Sequence, residues 1–119
     1  MKKRILIVDD SMFMRNIIKH ILVSNGYVIV GEASNGEEAI KLYKSLKPDL
    51  VTMDITMPNI DGIAALYSIK QFDKNAMVIM ITAMGQKILV NEAIEAGAID
   101  FIVKPFQAEM VIKTIQKYI

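Results

Sequence analysis

Four short apolar stretches of this chain each run straight into a polar residue that could do chemistry. Ile5-Leu6-Ile7-Val8 leads to Asp9-Asp10, Leu50 to Met53 leads to Asp54, and Met77 to Ile81 leads to Thr82. Phe101-Ile102-Val103 leads to Lys104, with Pro105 behind it. If those stretches are neighbouring strands, the polar groups gather on one rim. Three carboxylates crowded there repel one another unless a cation or a proton sits between them. Hard oxygen ligands, with no Cys and no histidine nearby, point to Mg²⁺ or Ca²⁺. An open, partly hydrated carboxylate site beside a lysine suits Mg²⁺ together with a phosphoryl group. A carboxylate can accept such a group as an aspartyl-phosphate, while Mg²⁺ and an ammonium hold the phosphoryl oxygens and a hydroxyl donates to one of them.

Taken singly, each residue also has a plainer role. Asp10 or Ser11 can cap the helix that follows the first strand, and Thr82 can cap a later one. Asp54 can be a turn residue, and Lys104 a solvated charge. The coincidence of all of them at strand ends argues for a site.

The elements that must position these residues are readable from periodicity. The run from Ile5 to Val8 has no polar interruption, which predicts a strand buried on both faces. Met14, Ile17, Ile18, Ile21 and Leu22 fall at helical spacing, and Gly26 can end that helix. Val28-Ile29-Val30 predicts a second strand. Asn35-Gly36-Glu37-Glu38 reads as a capping box before a stripe of Ala39, Leu42, Tyr43 and Leu46, and Pro48 ends that helix. The third strand, Leu50 to Met53, is followed by the turn-rich Pro58-Asn59-Ile60-Asp61-Gly62 and a helix with Ile63, Leu66 and Ile69 inward. The fourth strand precedes a helix with Val90, Ala93 and Ile94 inward, closed by Gly97. The fifth precedes a helix lined by Val111, Ile112, Ile115 and Ile119. Alternation of this kind, βα five times over, predicts a doubly wound parallel sheet with helices on both faces. Ligands of such sheets bind at the carboxyl ends of the strands, where the strand order reverses.

Composition narrows the function classes. The 119 residues carry 14 Lys plus Arg against 13 Asp plus Glu, a net charge of +1, which gives no basic footprint for nucleic acid and no pull toward anionic membranes. The absence of Cys excludes disulfides, thiol nucleophiles and zinc-thiolate clusters. The start, Met1-Lys2-Lys3-Arg4 followed by Ile5 to Val8, has an apolar part too short for a signal peptide, and Lys2-Lys3-Arg4 reads as a solvated terminus. A soluble, cytoplasmic, monomeric protein of one domain, residues 1–119, is the expectation. The 9 Met residues are scattered through strands and helices, so they read as core packing rather than a copper site, with Met57 and Met84 placed to line the rim. His20, the single histidine, sits on the first helix away from that rim and reads as a surface residue, not a phosphorelay histidine.

Asp9-Asp10, Met53-Asp54-Ile55-Thr56-Met57-Pro58, Thr82-Ala83 and Lys104-Pro105-Phe106 together resemble the receiver domain of two-component response regulators. The resemblance runs from the first strand to the last helix. It implies a flavodoxin-like sheet of strand order 2-1-3-4-5. It implies that Asp54 accepts phosphate from a phosphohistidine of a sensor histidine kinase, of the CheA type. Mg²⁺ would be held by the side chains of Asp10 and Asp54 and by the backbone carbonyl of Thr56, with Asp9 reaching it through water. Lys104 would pair with the phosphoryl group, and Thr82 would hydrogen-bond it and so sense it. Phe101 occupies the family's aromatic switch position, often Tyr in chemotaxis members, whose hydroxyl contact Phe cannot make. The family also implies a cis Lys104-Pro105 bond, where sequence alone favours trans. Ala83-Met84-Gly85-Gln86 and the run from Asp100 to Gln107 are most similar to stand-alone chemotaxis members of Gram-positive bacteria, Thermotoga-like bacteria and archaea. With no output domain after the last helix, direct transcriptional control is not expected.

The expected function is therefore a phosphorylation-activated switch that binds a motility motor switch protein or an archaellum adaptor, with a phosphatase as a further partner. An alternative within signalling is a phosphorelay intermediate that passes phosphate from Asp54 to another histidine. Aspartate-nucleophile phosphatases resemble one another in an Asp-x-Asp after the first strand, whereas Asp9 and Asp10 are adjacent. A flavodoxin-type carrier needs a hydroxyl- and glycine-rich phosphate cradle there, and two carboxylates would repel the flavin phosphate.

Overall fold

A computed structural model describes residues 2–57 and 61–119. Ten elements alternate along the chain: β1 (Arg4–Val8), α1 (Met12–Ser24), β2 (Val28–Ala33), α2 (Gly36–Leu46), β3 (Leu50–Asp54), α3 (Gly62–Phe72), β4 (Val78–Ala83), α4 (Lys87–Glu95), β5 (Asp100–Lys104) and α5 (Ala108–Gln116). The five strands form one parallel sheet in the order β2-β1-β3-β4-β5. The order reverses between β1 and β3, as the family resemblance implies.

Strand alternation splits the core in two. Leu6, Val8, Val51, Met53, Val78 and Met80 point to one face, where Ala39 and Tyr43 of α2, Ala65, Leu66 and Ile69 of α3 and Ala93 of α4 cover them. Ile5, Ile7, Leu50, Ile79, Ile81 and Ile102 point to the other, under Ile18 and Leu22 of α1 and Val111 and Ile115 of α5. Both β1 and β3 are covered on both sides, which explains why their sequences carry no polar alternation. Burying a side chain of this size contributes about 1.5–3 kcal/mol, so these central strands form a rigid floor for whatever sits at their ends.

Local signals place the helix starts. Ser11, not Asp10, caps α1 by accepting from the Met14 N–H at 3.2 Å. Asn35 caps α2 and Asp61 caps α3 in the same way, at 2.9 and 2.8 Å. The capping box at Asn35 is modified: the Glu38 carboxylate accepts from the backbone N–H and hydroxyl of Ser34, one residue earlier than the box requires. Gly26 follows α1 at φ 90°, and Lys47 takes the left-handed conformation after α2, just before Pro48.

Several expectations need correction. β2 runs on through Gly31, Glu32 and Ala33, past the apolar stretch, because edge pairing to β1 continues after a register shift at Ile5/Leu6. Arg4 is no solvated terminus: its guanidinium donates to the carbonyls of Leu46 and Lys47 and so satisfies the end of α2. Ile94 is half exposed, since α4 packs on the sheet through Ala93. Met57 is buried in the first core cluster rather than lining the rim, while Met84 is exposed. Pro58, Asn59 and Ile60 of the expected turn lie outside the described residues. Among the described residues no helix is long and apolar enough to cross a membrane.

Candidate functional site

The carboxyl ends of β1, β3, β4 and β5 bring the five polar strand-end positions to one crevice. Asp9 and Asp10 follow β1 and Asp54 closes β3, where β1 and β3 lie side by side at the point of reversal. One carboxylate oxygen from each of Asp9, Asp10 and Asp54 lies within 4.8 Å of the others. Asp10 is exposed, whereas Asp9 and Asp54 are buried. The Lys104 ammonium reaches in from the end of β5 and stands 3.6 Å from both Asp9 Oδ2 and Asp54 Oδ2.

Each carboxylate is held by its own local structure. Asp9 Oδ1 accepts from the Ser11 N–H at 2.9 Å, and Arg15 of α1 donates to the Asp9 carbonyl at 2.6 Å. That leaves Asp9 Oδ2 buried with no hydrogen-bond partner, facing the lysine. Gly62 lets the chain close beneath Asp54. A Cβ there would collide with the Asp54 carbonyl oxygen and lie 2.8 Å from Ile55 Cα. The Gly62 N–H donates to the Ile55 carbonyl at 2.8 Å. The Lys104-Pro105 bond is cis, as the resemblance implies.

The electrostatics are those of an anionic pocket short of cations. Burial pushes the Asp54 carboxyl up to about 6; Lys104 opposes this, and the neighbouring Asp9 adds to it. Burial also pushes Asp9 up, against the Ser11 N–H and Lys104. One ammonium cannot compensate three clustered carboxylates. An orphaned buried oxygen and a tight set of hard donors fit a small divalent cation, Mg²⁺ above others where part of the coordination stays aqueous.

Thr82, near the end of β4, is buried, and its hydroxyl does not cap α4. It bonds to Gln86 Oε1 at 2.6 Å instead, and Gln86 Nε2 donates to Thr56 Oγ1 at 3.1 Å. Phe101 is 40% exposed on the edge strand. A cavity of about 220 Å³ lies between them, lined by Thr82, Val90, Phe101 and Val103 among others. His20 is exposed and away from the crevice. Sequence reasoning missed Gln86 as a partner of the site. Its one signal was a Gln where a helix-capping Ser, Thr, Asp or Asn is ordinary.

Residues 5–116 match the family model of the response regulator receiver domain. The chain belongs to this family, whose members accept a phosphoryl group and signal rather than turn over a separate substrate. It is 61% identical to the chemotaxis protein CheY of Bacillus subtilis over 117 residues, covering 98% of both chains. It is 56% identical to the CheY of Thermotoga maritima, again over 98% of each. A chain in the crystal structure of the CheX-CheY-BeF3-Mg²⁺ complex from Borrelia burgdorferi superposes with a TM-score of 0.93 at 44% identity, covering 97% of this chain and 87% of that one.

Proposed function

We propose that Asp54 is the phosphoacceptor of a chemotaxis switch, taking its phosphoryl group from a phosphohistidine of a CheA-type sensor kinase. The observation that carries this reading is the clustering of the Asp54 carboxylate with those of Asp9 and Asp10 at the strand ends, with the Lys104 ammonium 3.6 Å from it. An Asp54 carboxylate oxygen attacks phosphorus, the phosphorus–nitrogen bond to the kinase imidazole breaks, and the imidazole leaves with the bonding pair. Asp10, Asp54 and the Thr56 carbonyl would hold Mg²⁺, with Asp9 supporting it through water. Bound there, Mg²⁺ supplies positive charge to the phosphoryl oxygens. Lys104, 3.6 Å from the Asp54 carboxylate, would offset the remaining charge.

The Thr82 hydroxyl then turns to a phosphoryl oxygen, and Phe101 moves into the cavity behind it. Charge-assisted hydrogen bonds contribute about 1.5–3 kcal/mol, enough to shift a two-state population by a decade or more. The face formed by α4, β5 and α5 would bind a motor switch protein or its adaptor. This reading treats residues 1–119 as one cytoplasmic receiver, with a phosphatase to end the signal. The likeness to CheY proteins supports the chemotaxis output. A pull-down from lysate tests it: beryllofluoride with Mg²⁺ should enrich a motor component on the protein. Enrichment of a histidine phosphotransfer protein instead would turn the reading to a relay.

A further inference from the structure

Gln86 occupies the first position before α4 yet makes no capping bond to its own helix. Its carboxamide spans the crevice instead, from the end of β4 to the loop after β3. The orientation of that carboxamide follows from its neighbours. The Ala83 backbone N–H can only donate, so the Gln86 atom 2.8 Å away must be the oxygen. The Thr82 hydroxyl lies 2.6 Å from the same oxygen and must therefore donate to it. The remaining acceptor near that hydroxyl, the Ala83 carbonyl, is more distant at 3.2 Å. A hydroxyl has one proton, and here it is committed. The Gln86 amide donates to the Thr56 side chain at 3.1 Å and ties that loop to the same bridge.

We infer that Gln86 is a positioning residue that latches Thr82 and Thr56 in the unphosphorylated state and competes with the phosphoryl group for the Thr82 proton. The inference rests on Asp54 as phosphoacceptor and adds a device that sets how readily the site accepts its group. Removing the latch leaves Thr82 only its longer bond to the Ala83 carbonyl to give up, so phosphoryl mimics should bind better. Replacing the amide by a carboxylate keeps a strong acceptor for Thr82 and Ala83, abolishes the donation to Thr56 and places negative charge beside the phosphoryl oxygens.

Calorimetric titration with beryllofluoride at saturating Mg²⁺ tests this. Gln86→Ala and the volume-preserving Gln86→Met should bind about 3- to 10-fold tighter than wild type, the range of one neutral hydrogen bond. Gln86→Glu should bind more weakly. In a Thr82→Ala background, Gln86→Met should make no difference, because there is no proton to compete for. In the metal-free protein, the Ala83 amide should exchange with solvent faster in Gln86→Met than in wild type. Unchanged or weaker beryllofluoride binding by both Gln86→Ala and Gln86→Met would overturn the latch, as would an equal gain in the Thr82→Ala background. Failure of wild type to bind beryllofluoride at all would overturn the phosphoacceptor reading itself, and the latch with it.

Discussion

The ammonium of Lys104 stands 3.6 Å from the Asp54 carboxylate, too far for a tight hydrogen-bonded pair and close enough for a strong field. Its equal distance to Asp9 divides its charge between two buried acids. An ammonium not locked in a tight bond to either acid is free to donate to a phosphoryl oxygen. Lys104→Met should therefore weaken beryllofluoride binding by about 10- to 100-fold, the worth of one charge-assisted bond. Mg²⁺ affinity should hold or rise in the same variant, since a competing cation is gone. Parallel loss of Mg²⁺ binding in titrations followed by NMR would contradict this division of roles.

Mg²⁺ binding should depend on pH through Asp54 and Asp9. Protonated carboxyls are poor ligands, and burial pushes Asp54 up to about 6 and Asp9 up as well. Affinity should fall as pH drops through about 6, well above the range where an ordinary aspartate would protonate. Titrations between pH 5 and 8 would show it as a progressive weakening. A flat profile above pH 5 would show that the carboxyls are not held up.

The same burial carries a stability cost in the metal-free protein. Asp54 has a higher carboxyl pKa folded than unfolded, so its favourable contribution is full below about pH 4 and is lost as pH rises through about 6. With a chelator at pH 7.5, Asp54→Asn should be more stable than wild type by on the order of 1–3 kcal/mol. The gain should vanish near pH 4. Urea unfolding at the two pH values measures both, and a variant less stable than wild type at pH 7.5 would refute the sign.

Gly62→Ala probes how the fold holds Asp54. Its Cβ would meet the Asp54 and Ile55 backbone, which cannot give way as a flexible side chain could. The expected loss is about 1–3 kcal/mol of stability, from forced backbone movement, together with weaker Mg²⁺ binding. Full retention of both would show that the loop after β3 adjusts at no cost.

The sequence was most informative where apolar runs met isolated polar residues. Val8 to Asp9, Met53 to Asp54 and Val103 to Lys104 are abrupt changes of polarity, and an alternating βα pattern leaves such residues few places to go. Elements near the sheet edges were harder. Gly31 and Glu32 belong to β2 only because β1 pairs with them, a tertiary cause that local propensity cannot register. Met57 is buried and Ile94 half exposed for tertiary reasons: Met57 packs into the first core cluster, and α4 meets the sheet through Ala93. The bridge from Thr82 through Gln86 to Thr56 joins residues 30 positions apart, and no periodicity announces a contact of that kind.

Thr82→Ala separates reception from output. The hydroxyl takes no part in forming the acyl phosphate bond, so modification of Asp54 should remain largely intact. Binding of the motor partner by the phosphorylated variant should weaken several-fold. Equal binding by variant and wild type would remove Thr82 and Phe101 from the switch.

The most direct test of the account is covalent. Incubation with acetyl phosphate and Mg²⁺, followed by intact-mass measurement and peptide mapping, should show one phosphoryl group on Asp54. The modification should be absent in Asp54→Asn and absent from wild type with a chelator. A phosphoryl group on Asp9 or Asp10 of the wild-type protein would contradict the account.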